Sequence, residues 1–94
     1  MNVQLDARAF ATPRVLCKDL GDEAILLDLE TETYFGLNTV GSRLWTLLTT
    51  APTIRDAFAI MLEEYDVAPE ELERDMTALI AELIERGLLR TGNA

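Results

Sequence analysis

Leu26 to Leu48, LLDLETETYFGLNTVGSRLWTLL, is the stretch whose reading decides the fold. Its first part alternates with period two, which is a strand pattern. After Asn38 the apolar residues recur near period 3.6, which is a helix pattern. The change falls at Gly36-Leu37-Asn38. Asn38 suits a helix N-cap, because its side-chain oxygen can accept an orphan backbone N–H of the first turn. Strand, turn, second strand and capped helix thus follow one another with almost no slack.

Upstream, Glu23 to Leu29 places Ile25, Leu27 and Leu29 on one face and Ala24, Leu26 and Asp28 on the other. Both faces are largely apolar, which predicts the central strand of a small antiparallel sheet. Gly21-Asp22 is a turn signal, and Arg14 to Leu20 reads as an edge strand before it. The link Glu30-Thr31-Glu32 holds no Gly or Asn, so a tight two-residue primed turn is not expected. Cys17 reads as a small packed hydrophobe, with no histidine or basic cluster nearby in sequence to activate its thiol. Met1 to Pro13 reads as a partly disordered arm in which Val3, Leu5 and Phe10 could lie over the domain.

Downstream, Val40, Leu44, Leu47 and Leu48 form an apolar stripe with Trp45 beside them. Gly41 inside that helix suggests close approach of another backbone. Thr53 is a second N-cap, opening a core-packing helix over residues 54–65. Pro69 suits the first turn of a third helix, and Glu70, Glu71 and Glu73 complement its positive N-terminus. Leu72, Met76, Leu79, Ile80, Leu83 and Ile84 give that helix a broad apolar stripe, and Gly87 ends it. Leu88-Leu89-Arg90 adds a short extended piece. The expected fold class is α+β, a winged-helix-like β-β-β-α-α-α inventory with a small three-stranded antiparallel sheet. Residues 14–90 form the domain, residues 1–13 the arm and residues 91–94 a polar tail.

Ninety-four residues make one domain, burying roughly 60–70% of the unfolded surface. Seventeen acidic residues against eight basic ones give a net charge of −9, which opposes nucleic-acid binding because phosphates must be met by Lys and Arg. Histidine is absent, so the usual general base and the commonest metal ligand are missing. No apolar run approaches the roughly 18 residues of a membrane span, and no signal segment opens the chain, so it reads as cytoplasmic. Adjacent pairs such as Glu63-Glu64 and Glu70-Glu71 point in different directions on a helix and read as a solvated face. No catalytic set, phosphate loop or cofactor motif emerges, and the chain reads as a non-enzyme. What remains is the strand Thr33 to Leu37, whose second edge is either open to an extended peptide or covered by the arm.

The stretch 26–48, followed by EEYDVAPEELERDMTALIAELIERGLL at 63–89, resembles the PqqD family. The specific residues are Leu27-Asp28, Tyr34-Phe35-Gly36-Leu37-Asn38, Gly41, Trp45, Glu73-Arg74-Asp75, Leu83 and Gly87-Leu88. The resemblance spans about Val15 to Leu89. It implies a recognition domain that binds the leader segment of a ribosomally made precursor peptide by strand addition. The domain would present that peptide to a radical-SAM maturase, a leader peptidase or a cyclase, in quinone-cofactor, lasso-type or related biosynthesis. It further implies pairing through Thr33, Tyr34, Phe35, Gly36 and Leu37, facing a wall of Asp75, Met76, Leu79, Glu82 and Leu83. Many relatives carry glycine where this chain has Glu32, which leaves the turn type open. The competing readings are a winged-helix transcription regulator and a homodimer formed through the open edge.

Overall fold

Burial alternates strictly along Ala24–Asp28, with Ala24, Leu26 and Asp28 enclosed and Ile25 and Leu27 half-buried. A strand of that kind sits between two others with one face on a core. In the computed structural model, which describes residues 4–92, this strand is β3. It pairs antiparallel with β2 (Val15–Asp19) and with β4 (Thr33–Leu37) in the order β2-β3-β4. The expected three-stranded sheet is present, and α1 (Thr39–Thr50), α2 (Ile54–Glu64) and α3 (Pro69–Glu85) follow it.

The structure adds a second sheet. β1 (Arg8–Ala11) pairs antiparallel with β5 (Leu89–Gly92), Phe10 opposite Arg90 and Ala11 opposite Leu89. Residues 8–11 are therefore a strand where a partly disordered arm was expected, and the last described residues are its partner rather than a polar tail. The physical reason is burial: Ala9 and Leu89 are enclosed in the core, and Leu5 packs against it. Val3, the other apolar residue of the arm, lies outside the described residues. The backbone of the same segment reaches α2, where Ile54 N–H donates to Ala7 O and Arg55 N–H to Leu5 O.

Each helix starts and stops as its sequence dictates. The Asn38 side chain accepts from Gly41 N–H at 2.8 Å, and Thr53 Oγ1 accepts from Asp56 N–H at 3.2 Å. Pro69 occupies the first turn of α3, and Gly87 leaves it at φ +75°, a conformation that glycine takes without strain. Gly41 makes room for side chains rather than for another backbone. A Cβ there would lie 3.2 Å from Asn38 Oδ1, 3.4 Å from Leu37 Cδ2 and 3.6 Å from Leu79 Cδ2. The core gathers Leu26 and Leu37 from the sheet, Leu44, Trp45 and Leu48 from α1, Ile54 and Met61 from α2, and Met76, Ile80 and Leu83 from α3.

The β3–β4 hairpin is held by one buried carboxylate. Asp28 is only 3% exposed; its Oδ1 accepts from Glu30 N–H and Thr31 N–H at 3.0 and 3.2 Å. Its Oδ2 lies 3.1 Å from Arg14 Nε. Burial alone would raise its pKa, but the two backbone donors and the Arg14 guanidinium outweigh that and hold it below the ordinary value. Residues 29–32 form the connection, closed by Glu32 N–H donating to Asp28 O at 2.8 Å, and Glu32 itself takes φ 61°. No two-residue turn forms, as expected. The left-handed position is filled here by a glutamate, at some strain.

Cys17 departs from its expected packed role. It is exposed on edge strand β2, and partial burial together with nearby Asp19 raises its pKa, which keeps the thiol protonated.

Candidate functional site

β4 closes one side of its sheet, with β3 as its paired neighbour and its other edge unpaired among the described residues. Side chains on a strand alternate, and here Phe35 and Leu37 turn toward the helices while Tyr34, 73% exposed, and Gly36 turn to the opposite face. α3 (with its C-cap Arg86) comes near β4 at two points, in the opposite chain direction. Near the Leu37 end, the Leu37 and Leu79 side chains both lie against Gly41. Near the Thr33 end, the Arg86 guanidinium sits 5.0 Å above the Phe35 ring, a cation–π contact. A groove results, with a backbone edge on one side and a helix on the other.

Two cavities border α3 and its C-cap, one between α3 and the other helices just past the end of β4, the other against β4 itself. One of about 330 Å³ is lined by Asn38, Val40, Gly41, Leu72, Asp75, Met76 and Leu79 among others. Past Val40, Leu72 and Asp75, which line both, it continues into a smaller apolar cavity of about 190 Å³ beside Val67 and Glu71. The other, about 240 Å³, is lined by Asp28, Thr31, Thr33, Tyr34, Phe35, Arg86 and Leu88. A larger and more open space of about 660 Å³ lies apart, beside Thr12, Arg14, Gly87 and Arg90. Both of its arginines are already engaged, Arg14 with Asp28 and Glu30 and Arg90 over the Phe10 ring.

The five strand residues expected at the site, Thr33, Tyr34, Phe35, Gly36 and Leu37, are the whole of β4. The five expected on the facing helix separate by burial. Asp75 and Glu82 are exposed, and Leu79 is half-buried. Met76 (1% exposed) and Leu83 (0%) are enclosed in the core, so they support the wall more than they form its surface. Val40, Gly41 and Arg86 also line these cavities and were not placed at the site from the sequence. Val40 was read as part of a core stripe, yet it is exposed. Arg86 carried no reading of its own, and nothing in residue spacing links it to Phe35.

The arrangement offers backbone pairing, an apolar anchor site and two charged ends. Among the described residues, no group of three His, Cys, Asp or Glu is placed to hold a metal. No helix among them is long and apolar enough to cross a membrane.

The sequence matches the family described as coenzyme PQQ synthesis protein D (PqqD) over residues 23–89. Two solved structures share the fold. TbiB1 in complex with the TbiA(beta) leader peptide has a TM-score of 0.82 and 35% identity, covering 90% of this chain and 98% of that one. A lasso peptide synthetase B1 complexed with the leader peptide has a TM-score of 0.81 and 25% identity, covering 89% and 99%. No curated protein sequence matches the chain.

Proposed function

The chain belongs to the PqqD family, and from that premise we propose that the groove between β4 and α3 binds the leader segment of a ribosomally made precursor peptide. The leader adds to β4 as a fourth strand. The observation that carries this reading is the unpaired edge of β4 with α3 standing beside it. Main-chain hydrogen bonds supply affinity, and alternate side chains of the leader enter the cavities at Leu79 and at Arg86. The likeness to two leader-peptide complexes supports the same occupant. It favours a lasso-type precursor over a quinone-cofactor one.

The domain itself is a binder that presents its peptide to an enzyme, a leader peptidase or cyclase in a lasso-type system or a radical-SAM maturase elsewhere. A second exposed surface supports such presentation. On the face of the sheet away from the helices, Leu16, Leu27 and Tyr34 form one cross-strand row, with Ile25 in the next. Leu16 and Tyr34 are exposed, as is Leu29 beyond them. An unpartnered apolar face of this kind marks an interaction site, and an added leader strand would extend it. Self-association through β4 would compete for the same edge and is opposed by the net charge of −9. Duplex recognition through α3 is opposed by Glu70, Glu71, Glu73, Asp75, Glu82 and Glu85 on that helix.

Titration calorimetry with a synthetic leader, taken from the precursor encoded beside this chain's gene, tests the proposal. Low-micromolar affinity or better is expected, which corresponds to roughly 8 kcal/mol. Absence of binding at a hundredfold higher concentration would remove the reading.

A further inference from the structure

The two ends of the groove carry opposite charge. Asp75 and Glu71 rim the cavities beyond Leu37, whereas among the described residues Arg86 is the one cation lining the cavity beside Thr33 and Phe35. Along α3, Asp75 and Arg86 stand about three turns apart, roughly 16 Å. First to last residue, a five-residue strand such as β4 is nearly as long, roughly 13–14 Å. The charges therefore bracket one strand length of bound peptide.

Arg86 has donors to spare. Its Nε and one terminal nitrogen both meet a single oxygen, Glu82 Oε2, each at 3.3 Å. Charge-assisted bonds of this type are normally shorter and are strongest when forked onto two oxygens. The other acceptors around that cavity are occupied. Asp28 is committed to two backbone N–H groups and Arg14, and the Thr31 and Thr33 hydroxyls bond each other at 2.7 Å. Phe35 holds the guanidinium over the groove from below.

We propose that Arg86 is a specificity-determining residue of the groove: it takes an acidic side chain of the added strand, while the Leu79–Val40 cavity takes an apolar one. This rests on the peptide-binding reading and fixes which charge pattern the peptide carries. A covering strand excludes water from Arg86, which strengthens the pair relative to an exposed one. Both anchors point into the groove, so their positions in the strand differ by an even number. Both pairings of the sheet are antiparallel. A strand added antiparallel to β4 enters at the Asp75 end and leaves at the Arg86 end. The acidic residue then lies C-terminal to the apolar anchor.

The test is a displayed library of randomised segments selected on the wild-type domain and on Arg86→Glu and Arg86→Gln variants, each confirmed folded by thermal melting. Arg86 is largely exposed, at a helix end, so both variants should fold. Segments enriched on the wild type should carry Asp or Glu at an even spacing C-terminal to an apolar residue. Selection on Arg86→Glu should exchange the acid for Lys or Arg at the same place. In a synthetic winner, replacing the acid by its amide should weaken binding to the wild type by roughly tenfold to a hundredfold, but not to Arg86→Gln. The same enriched pattern on all three proteins would overturn the assignment to Arg86 and leave peptide binding intact. No enrichment on any of them would overturn peptide binding and the assignment together.

Discussion

Leu79→Asp is expected to weaken leader binding by roughly a hundredfold or more while the domain stays folded. Leu79 is the half-buried member of the α3 stripe, in contact distance of the position a Cβ at Gly41 would occupy and close to Leu37. In the free protein its replacement costs only part of a buried leucine, about 1–2 kcal/mol, because water reaches the new carboxylate. Once a peptide strand covers the groove, that carboxylate is enclosed without a cation, since Arg86 stands at the other end. Desolvating it costs several kcal/mol, and about 2.7 kcal/mol already makes a hundredfold. Leu79→Ala, which removes contact without adding charge, should lose far less. Calorimetric titration with the leader, beside a thermal melt of each variant, makes the comparison. Unchanged affinity in a folded Leu79→Asp domain would place the wall elsewhere.

Leu83→Ala should do the reverse. Leu83 is fully enclosed, packed in the core with Met76 and Ile80, and its truncation leaves a cavity that costs about 2–5 kcal/mol. Against the roughly 5–15 kcal/mol of a typical domain this is a large share. The melting temperature should fall by something like 10–30 °C. Below that transition the leader affinity of the folded protein should change only a few-fold, because the groove surface is kept. Denaturant melts and a low-temperature titration give the two readouts. A Leu83→Ala variant that stays stable yet loses the leader would contradict its place in the core.

The contrast between these two leucines shows what a sequence can carry. Helical periodicity groups Leu72, Met76, Leu79, Ile80 and Leu83 on one stripe, correctly, because the stripe follows from 3.6 residues per turn. It cannot show where along that stripe the neighbouring strand stands off and leaves an opening. Leu79 stays half-buried beside Gly41 of α1 and Leu37 at the end of β4, and this depends on three separate elements. The local signals were readable for the same reason that the tertiary ones were not. Asn38, Thr53, Pro69 and Gly87 act through their own backbone neighbours.

The second sheet went unread because RAFA and LRTG are four residues each and pair across nearly the whole chain. Neither alternates strongly enough to stand out. The apolar pair Leu88-Leu89 directly after the helix-ending glycine was the available hint. Glu32 was readable only as a departure from the family pattern, since its left-handed backbone follows from how Asp28 closes the loop from both sides. Arg86 could not be recovered at all: its partner Phe35 lies on an element three helices earlier.

The central claim is that the leader pairs with the free edge of β4, and amide hydrogen exchange tests it most directly. With saturating leader, exchange should slow at alternate residues of Thr33 to Leu37, whose N–H groups now point at water, and little at β2. Protection that appears elsewhere while β4 exchanges as in the free protein would contradict the account.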